Sequence, residues 1–366
     1  MTGHGEQQRS AGRRSRLFAI CVPGLGRMVR RELEAASGVQ VTGAGSDRRA
    51  DIIFFEADRA GRAEALRSRL AEEMFAEIGR ASRTGGAGPT AIASTVWQRD
   101  GVQRALSVWA DEVRPLAGSM TFRVSARVLS EARFRRVDLR RAMSDVIAAD
   151  KTRWKFAEPA QLEISISEWH DGQYVAGLRL SGARAPAGAR QPEARQHSAG
   201  FDAAVAGALP RTVAAAMVQL AGPPGRARQP GSTLLDPCCG AGPILAEALA
   251  AGWAADGNDS DPGAVEAARR IAPGANVHLG DARELLLPDD CVGACVSWLP
   301  GRAPGSWQDW VEEALTEISR VTRSGGSVIL LAPELPRPAV PGTLRLRRQV
   351  PIRLAGRLSI WVFRRA

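Results

Sequence analysis

The 366-residue sequence predicts an α/β protein in two parts, an α+β region followed by an open sheet of alternating strands and helices. Three observations predict it. A buried strand ending in Leu234 and Leu235 runs into a glycine-containing turn and then an apolar helix pattern over 242–252. The next two strands each end beside an aspartate, Asp259 and Asp281. The N-terminal half instead shows short alternating strands separated by amphipathic helices.

The glycine-containing turn reads DPCCGAG from Asp236 to Gly242. Gly240 and Gly242 let the backbone turn sharply and approach a ligand closely. The helix N-terminus behind them offers unpaired N–H groups to a carboxylate. Asp259 follows about 20 residues later, where an acid accepts hydrogen bonds from ribose hydroxyls. Taken alone, the glycine pattern fits both dinucleotide sites and S-adenosylmethionine (SAM) sites.

The third strand ends in Gly280-Asp281-Ala282, where the carboxylate is placed to meet an adenine amino group. DPxCGxG, GxDxD and GDA, in this order, resemble motifs one to three of class I SAM-dependent methyltransferases. The first motif is most similar to the subgroup that methylates exocyclic nitrogens of bases. Ordinary strand-end turns are the alternative, but they would have to produce all three motifs in order. The resemblance implies a Rossmann-like domain over 201–366 with SAM as its cofactor. The implied cofactor-binding residues are Asp236, Cys238, Gly240, Gly242, Asp259, Asp281, Ala282 and Ser297.

One motif departs from that family. After the fourth strand, such enzymes carry Asn or Asp, a dipeptide ending in Pro, an aromatic residue and Gly, whereas this chain reads SWLPG from Ser297 to Gly301. We predict that Trp298 stacks on the base and that the carbonyls of Leu299 or Pro300 accept from its amine, so these three residues are the candidate catalytic set. The alternative is that Trp298 only packs and that the catalytic motif has decayed. Trp307 and Trp310 lie on the apolar face of a predicted helix and are expected in the core.

The region over 82–182 alternates in the manner of a small α+β domain. A strand over 121–128 carries Arg123 and Arg127 on one face, a helix over 138–150 follows, and Asp171-Gly172 marks a hairpin between the last two strands. Residues 82–91 are Gly-rich and predict a loop. The order of these elements resembles a THUMP domain, which implies RNA binding.

The region over 16–81 is similar to the ferredoxin-like subdomain that precedes THUMP in RNA methyltransferases. A strand over 17–22, a helix after Pro23-Gly24-Leu25 and a strand over 52–55 predict a β-α-β unit. A second helix is predicted over 62–80, because Leu66, Leu70, Met74 and Ile78 follow at i+4 spacing. Residues 1–15 are predicted to be disordered and 183–200 to form a linker.

Positive charge is concentrated outside the predicted cofactor domain. The chain carries a formal net charge of +10, with 12 cations against 6 acids in 101–155, 8 against none in 335–366, and 6 against 11 in 201–300. This distribution is what binding of a phosphate backbone needs. GC-rich coding and a solvated charged face are the alternatives. The candidate RNA-binding residues are Arg123, Arg127, Arg133, Arg135, Arg136, Lys151 and Lys155.

Composition argues against several other classes. The five cysteines form no CxxC pair and the four histidines are scattered, so no zinc spacing is present and no metal is expected. No run of 18 apolar residues occurs and the N-terminus is polar, which predicts a cytoplasmic protein without a membrane span.

The leading interpretation is a SAM-dependent RNA methyltransferase that acts on structured RNA. The resemblance implies guanine N2 in tRNA as the target, with rRNA as a second possibility. A catalytically impaired RNA-binding protein with a methyltransferase fold is the alternative. A small-molecule methyltransferase is disfavoured, because the N-terminal 180 residues would then lack a purpose.

Overall fold

A computed structural model describes residues 14–46, 49–83, 87–129, 134–180, 209–224, 232–300, 306–336, 340–354 and 356–366. The chain divides into two compact units, Met1–Phe201 and Asp202–Ala366. The predicted linker over 183–200, nearly all of the predicted tail over 1–15, Arg133 and Gly301 lie outside the described residues.

The N-terminal unit is built on one eight-stranded sheet with the order β2-β3-β1-β4-β8-β7-β5-β6. Its elements are β1 (Ser15–Cys21), α1 (Gly26–Ala35), β2 (Val39–Ser46), β3 (Asp51–Ala57), α2 (Arg59–Ala65), β4 (Glu73–Ser82), α3 (Pro89–Val96), α4 (Arg99–Glu112), β5 (Thr121–Arg127), α5 (Arg136–Asp150), β6 (Lys155–Phe156), β7 (Leu162–His170) and β8 (Gln173–Arg179). Strands β4 and β8 pair antiparallel, so the regions expected to be ferredoxin-like and THUMP-like share a single sheet.

The prediction of a helix over 62–80 is wrong. The structure has the short helix α2 and then strand β4, in which Met74 and Ile78 are both buried. A spacing of four residues is also a multiple of the strand period of two, so the pattern did not discriminate between the two structures. Phe75 and Ala76 are buried as well, because this strand lies in the middle of the sheet.

The prediction of a β-α-β unit at the N-terminus is also wrong. The two strands of such a unit are parallel, whereas β1 and β3 pair antiparallel. The additional strand β2 reverses the chain between them. It has the sequence VQVTGAGS and no fully buried residue, so it gave no apolar signal of a strand. Part of the predicted loop over 82–91 belongs to helix α3, which begins at Pro89. The hairpin predicted at Asp171-Gly172 is confirmed.

Two glycines set how closely helices α3 and α4 approach the sheet. A Cβ on Gly79 of β4 would lie 2.4 Å from the Val96 carbonyl oxygen at the end of α3. A Cβ on Gly101 of α4 would lie 1.9 Å from the Ile78 carbonyl oxygen. Both neighbours are backbone atoms, so the helices can pack at this distance only where side chains are missing.

The C-terminal unit holds a seven-stranded sheet with the order β11-β10-β9-β12-β13-β15-β14. Its elements are α6 (Arg211–Ala221), β9 (Thr233–Asp236), α7 (Pro243–Ala250), β10 (Ala254–Asp259), α8 (Pro262–Ile271), β11 (Asn276–Leu279), β12 (Val292–Trp298), α9 (Trp307–Val321), β13 (Thr322–Ala332), β14 (Leu344–Arg353) and β15 (Arg357–Arg365). The first five strands in the sheet are parallel, and β15 and β14 close it as an antiparallel hairpin. This is the alternation that the sequence predicts for 201–366.

We expect Gly101→Ala to destabilise the N-terminal unit by about 1–3 kcal/mol, because the added methyl group forces α4 away from the backbone of β4. Gly118→Ala is the matched control, since a Cβ there meets nothing within 4 Å. Thermal and urea unfolding of the full chain measure the difference. Equal unfolding midpoints for the two variants would contradict this account of the packing.

Candidate active site

The order of the sheet brings the predicted site residues to one edge. Strands β9 and β12 are parallel neighbours at the centre, and the chain proceeds outward from β9 through β10 to β11 on one side. The strand order therefore reverses between β9 and β12, which is where open α/β sheets bind ligands, at the carboxyl ends of their strands. The turns after β9, β10, β11 and β12 all lie at this edge.

A buried carboxyl joins the two central strands. Asp236, at the end of β9, is 1% exposed, and its Oδ1 accepts a hydrogen bond of 2.7 Å from the hydroxyl of Ser297 on β12. The backbone N–H of Cys238 donates to the same oxygen at 3.3 Å. Burial raises the pKa of Asp236 to about 7, and the nearby negative charge of Asp259 adds to the rise. The first and fourth motifs are thus joined by a group that titrates near neutrality.

The glycine turn is held by the second aspartate. The Gly240 N–H donates to Asp259 Oδ2 at 2.7 Å, and the Asp261 N–H donates to Oδ1 at 3.0 Å. Gly240 and Gly242 have φ values of 51° and 85°, a region that favours glycine. A Cβ on Gly242 would lie 3.0 Å from Ala268 of α8, so this glycine serves packing. A Cβ on Gly240 would meet nothing within 4 Å, so this glycine faces open space where a ligand fits.

Asn258 was not among the predicted site residues, but it connects three turns of the site. Its amide donates to the carbonyl oxygens of Gly280 at 2.9 Å and Pro237 at 3.3 Å. The backbone carbonyl oxygen of Asn258 accepts from the Cys239 N–H at 3.0 Å. The sequence signal that was available is an amide residue next to Asp259 at the end of a predicted strand, and in the structure this amide is buried, where an unsatisfied polar group is costly.

Asp281 lies at the end of β11 and is paired with Arg283. The guanidinium donates to Oδ2 at 2.7 Å and to Oδ1 at 3.1 Å, and it also reaches Glu313 of α9 at 3.2 Å. Arg283 holds the pKa of Asp281 below its ordinary value. The carboxylate is therefore ionised at neutral pH, and it is an acceptor on the outer side of the site.

The residues of the atypical SWLPG motif differ in burial. Leu299 is 1% exposed and Ala282 5% exposed, and both belong to an apolar cluster with Trp310. The side chains of Leu299 and Ala282 are therefore directed into the core, which leaves their backbone groups for the roles predicted for them. Trp298 and Pro300 are half-buried.

The aromatic pair of α9 is only partly the core feature that we predicted. Trp310 is buried, as expected, and its ring stacks on Trp307 at 5.7 Å between centroids and 10° between planes. Trp307 is only half-buried, and it packs against the same cluster as Cys238 of the glycine turn. Burial raises the pKa of the Cys238 and Cys239 thiols, so both stay neutral and neither is an activated nucleophile.

Two of the predicted RNA-binding arginines are occupied within the N-terminal sheet. Arg123 pairs with Glu163 at 2.9 Å and Arg127 with Glu73 at 3.5 Å. The buried Arg179 on β8 contacts both of these acids, at 2.7 Å and 3.5 Å. This network joins four neighbouring strands, so Arg123 and Arg127 act in the fold and we do not retain them as RNA ligands.

The other predicted cations lie on and around α5. Arg135 is 72% exposed in its side chain and has a 3.7 Å contact with Asp138, while Lys151 pairs with Asp150 at 3.0 Å. Arg136 and Lys155 are exposed. The N-terminal part of α5 borders a cavity of about 370 Å³. Its lining residues are Arg135, Val137, Asp138, Arg140, Arg141, Ser144 and Phe156.

Neither a metal site nor a membrane-crossing helix is present among the described residues. No group of three or more His, Cys, Asp or Glu side chains is arranged there to hold a metal ion. No helix in those ranges is both long and apolar enough to cross a membrane.

Comparison with known proteins agrees with this geometry. Residues 234–326 match the sequence profile of a family described as a methyltransferase domain. Over 100 residues, or 27% of the chain, the sequence is 33% identical to malonyl-[acyl-carrier protein] O-methyltransferase from Serratia marcescens. The matched stretch spans 38% of that protein's length.

Among solved structures, TrmN from Thermus thermophilus is similar with a TM-score of 0.69 and 22% identity, covering 96% of this chain and 99% of the other. That likeness shows the fold. A geranyl diphosphate C-methyltransferase from Streptomyces coelicolor A3(2) matches 43% of this chain and 78% of its own, with a TM-score of 0.36 and 13% identity.

The sheet, the glycine turn and the family match define residues 234–326 as part of a class I methyltransferase domain, and its cofactor is SAM. The predicted fold class is confirmed. The residues fit the cofactor, because Gly240 leaves open space at a turn that the Asp259 carboxylate holds, and Asp236 at the end of β9 and Asp281 after β11 lie at the same edge of the sheet. The roles expected for Asp259, towards ribose hydroxyls, and for Asp281, towards an adenine amine, stay predictions.

We expect Gly240→Arg to abolish SAM binding, because its side chain fills the space that a ligand needs. Gly325→Arg is the matched control, since Gly325 also has a positive φ, of 72°, and open space around its Cβ. Calorimetric titration of the full chain with SAM measures both variants. Loss of binding in both, or in neither, would contradict this placement of the cofactor.

The raised pKa of Asp236 predicts a pH-dependent stability. A carboxyl whose pKa is higher in the folded than in the unfolded state stabilises the fold at low pH, and that contribution is lost as the pH rises towards the folded value. Ligand-free protein should therefore lose about 1 kcal/mol per pH unit between pH 5 and about 7. Asp281 and Glu317 have lowered pKa values, so they titrate below this window.

Asp236→Asn removes one titrating group, so the unfolding free energy of this variant should vary less with pH over the same range. Part of the slope should remain, because burial raises the pKa of Glu72 in the N-terminal unit to about 6. Asp309→Asn, which removes an exposed carboxylate of α9, is the control and should keep the wild-type slope. Chemical unfolding at several pH values measures the slopes. A wild-type slope that persists in Asp236→Asn would show that another group causes it.

Proposed function

We propose that this chain is a SAM-dependent RNA methyltransferase that modifies an exocyclic base nitrogen, with guanine N2 in tRNA as the target. The observation that carries the proposal is the cavity of the N-terminal unit, whose lining includes Arg135, Arg140 and Arg141 together with Phe156. A small-molecule enzyme has no use for such a surface, whereas RNA presents phosphates for the guanidinium groups and bases for the ring.

The character of the cavity favours single-stranded or looped RNA. Phe156 is 57% exposed although it is aromatic, and Val137 is 42% exposed beside it. An exposed aromatic side chain and several arginines in one cavity suit the stacking of an unpaired base and the binding of the adjacent phosphates. The resemblance of this region to THUMP points to the same class of ligand.

The catalytic arrangement follows from the carboxyl edge of the C-terminal sheet. When bound, SAM supplies a methyl group on a positively charged sulfur. The base nitrogen would bond to the methyl carbon as the carbon–sulfur bond breaks, S-adenosylhomocysteine would be released, and the amine proton would pass to water. In our proposal the carbonyls of Leu299 or Pro300 accept the amine hydrogens and aim its lone pair, while the half-buried Trp298 offers its ring to the base.

The missing Asn or Asp sets the expected speed of the reaction. Loss of one orienting hydrogen bond costs about 1–3 kcal/mol, which corresponds to roughly 10- to 100-fold in rate. We therefore propose a slow enzyme. The second candidate is an RNA-binding protein with little or no catalysis, and the observation that favours it is Trp298 in place of the expected polar residue.

Nucleoside analysis of RNA from cells distinguishes the two candidates. A deletion strain should lack one methylated guanosine, and the wild-type gene should restore it while Gly240→Arg should not. Trp298→Ala should restore it only partly, because about 1–3 kcal/mol of base stacking is lost. SAM binding by purified Trp298→Ala, measured by calorimetry, should remain near the wild-type value.

Identical nucleosides in deletion and wild-type cells would overturn the enzymatic proposal. If the purified chain then still bound RNA, the second candidate would be the better description.

A further inference from the structure

The C-terminal hairpin formed by β14 and β15 carries an unusual excess of positive charge. Residues 335–366 contain 8 arginines and no acid. Arg345, Arg347, Arg353 and Arg357 are exposed and Arg348 is half-buried. Within the ranges that the structure describes, none of these five guanidinium groups has an ion-pair or hydrogen-bond partner. The hairpin therefore presents cations that the fold itself does not use.

The register of the hairpin places arginines of the two strands opposite each other, which increases the electrostatic repulsion between them. Arg345 lies directly opposite Arg364, and Arg353 lies directly opposite Arg357. Like charges at directly opposed positions of an antiparallel pair destabilise it. Two such pairs in one hairpin oppose folding in the absence of a ligand, and a bound polyanion would relieve the repulsion at both ends.

The shape of the edge argues against a peptide as the occupant. Strand β14 is the outermost strand of its sheet, so its outer backbone groups could in principle pair with another strand. A bulge between Leu346 and Arg348 and the exposed Pro351 interrupt that edge. Bulges, proline and positive charge are the features by which proteins block strand addition. A second copy of this chain would also bring like charge to like charge.

The length of the charged edge argues for a polymer. Arg345 and Arg353 are separated by eight residues of strand, or about 26 Å at the usual rise. A single phosphate group or a mononucleotide cannot reach both ends, whereas the backbone of a folded RNA presents a charge every few ångströms. No described residue of this hairpin belongs to the cofactor edge or to the α5 cavity.

We infer that the β14–β15 hairpin is a second RNA-binding surface, which holds the phosphate backbone of a structured RNA on the methyltransferase unit itself. This inference rests on the proposed function only in taking RNA as the polyanion. Binding of the RNA backbone by the hairpin is separate from the base recognition proposed for the α5 cavity, because the hairpin offers guanidinium groups without an exposed aromatic ring.

The test measures binding of unfractionated tRNA to the full chain at several salt concentrations. Arg345→Gln combined with Arg353→Gln should weaken binding several-fold and reduce the slope of log affinity against log salt by about 1–2, since each lost phosphate contact releases fewer counterions. The thermal unfolding midpoint should stay the same or rise, because each substitution removes one member of a like-charge pair. A residue with a purely structural role would instead lower the midpoint.

Arg270→Gln on α8 is the control for loss of a positive charge from the same unit. Arg270 is exposed and has no ion-pair partner among the described residues. Its removal should change the affinity and the salt slope less than Arg353→Gln alone. Equal effects of the two single substitutions, or an unchanged salt slope in the double variant, would overturn the inference.

The outcome is separable from that of the proposed function. Loss of tRNA binding in the hairpin variant of a chain that transfers no methyl group would leave the surface established and the enzyme disproved. Normal tRNA binding by the hairpin variant together with methyl transfer would disprove the surface alone. Binding of polyglutamate, in place of tRNA, that depends on the same arginines would identify an acidic protein as the partner and overturn the assignment to RNA.

Discussion

The hydrogen bond between the buried carboxyl of Asp236 and the hydroxyl of Ser297 is the constraint on which the rest of the site depends. It joins the two strands between which the sheet order reverses, and so it fixes the glycine turn relative to the strand that ends in Trp298. Asn258 and Asp259 then connect the remaining turns through the hydrogen bonds of their side chains. In the function that we propose, these hydrogen bonds hold the turns together so that a cofactor and a base meet in a defined geometry.

The parts of the chain differ in the sign of their charge and in how far the fold itself neutralises it. The cofactor edge is acidic, and burial keeps the Asp236 carboxyl partly protonated near neutral pH. The sheet of the N-terminal unit uses Arg123, Arg127 and Arg179 internally, while the exposed Arg135, Arg140 and Arg141 lie at and along the N-terminal part of α5. The C-terminal hairpin keeps a further set exposed, against the repulsion within its own strands. The RNA ligand that we propose would account for both exposed sets, and the acidic edge suits a positively charged methyl donor.

Much of the C-terminal unit could be predicted from sequence because its signals are local. A turn with glycine at positive φ and a carboxyl at a strand end each need only a few neighbouring residues. The N-terminal unit was harder, since β4 is buried on both faces and its spacing also fits a helix. Partners distant in sequence were inaccessible: nothing near Arg123 indicates that Glu163 neutralises it, and nothing near Asn258 indicates that it bonds to Gly280.

A single-turnover assay tests the central claim most directly. Purified full chain is mixed with SAM carrying a labelled methyl group and with tRNA from a strain that lacks this gene, and the labelled nucleosides are then identified. The account predicts label in N2-methylguanosine at a slow rate, and none with Gly240→Arg. Absence of label above that variant, with SAM and tRNA both bound, would contradict it.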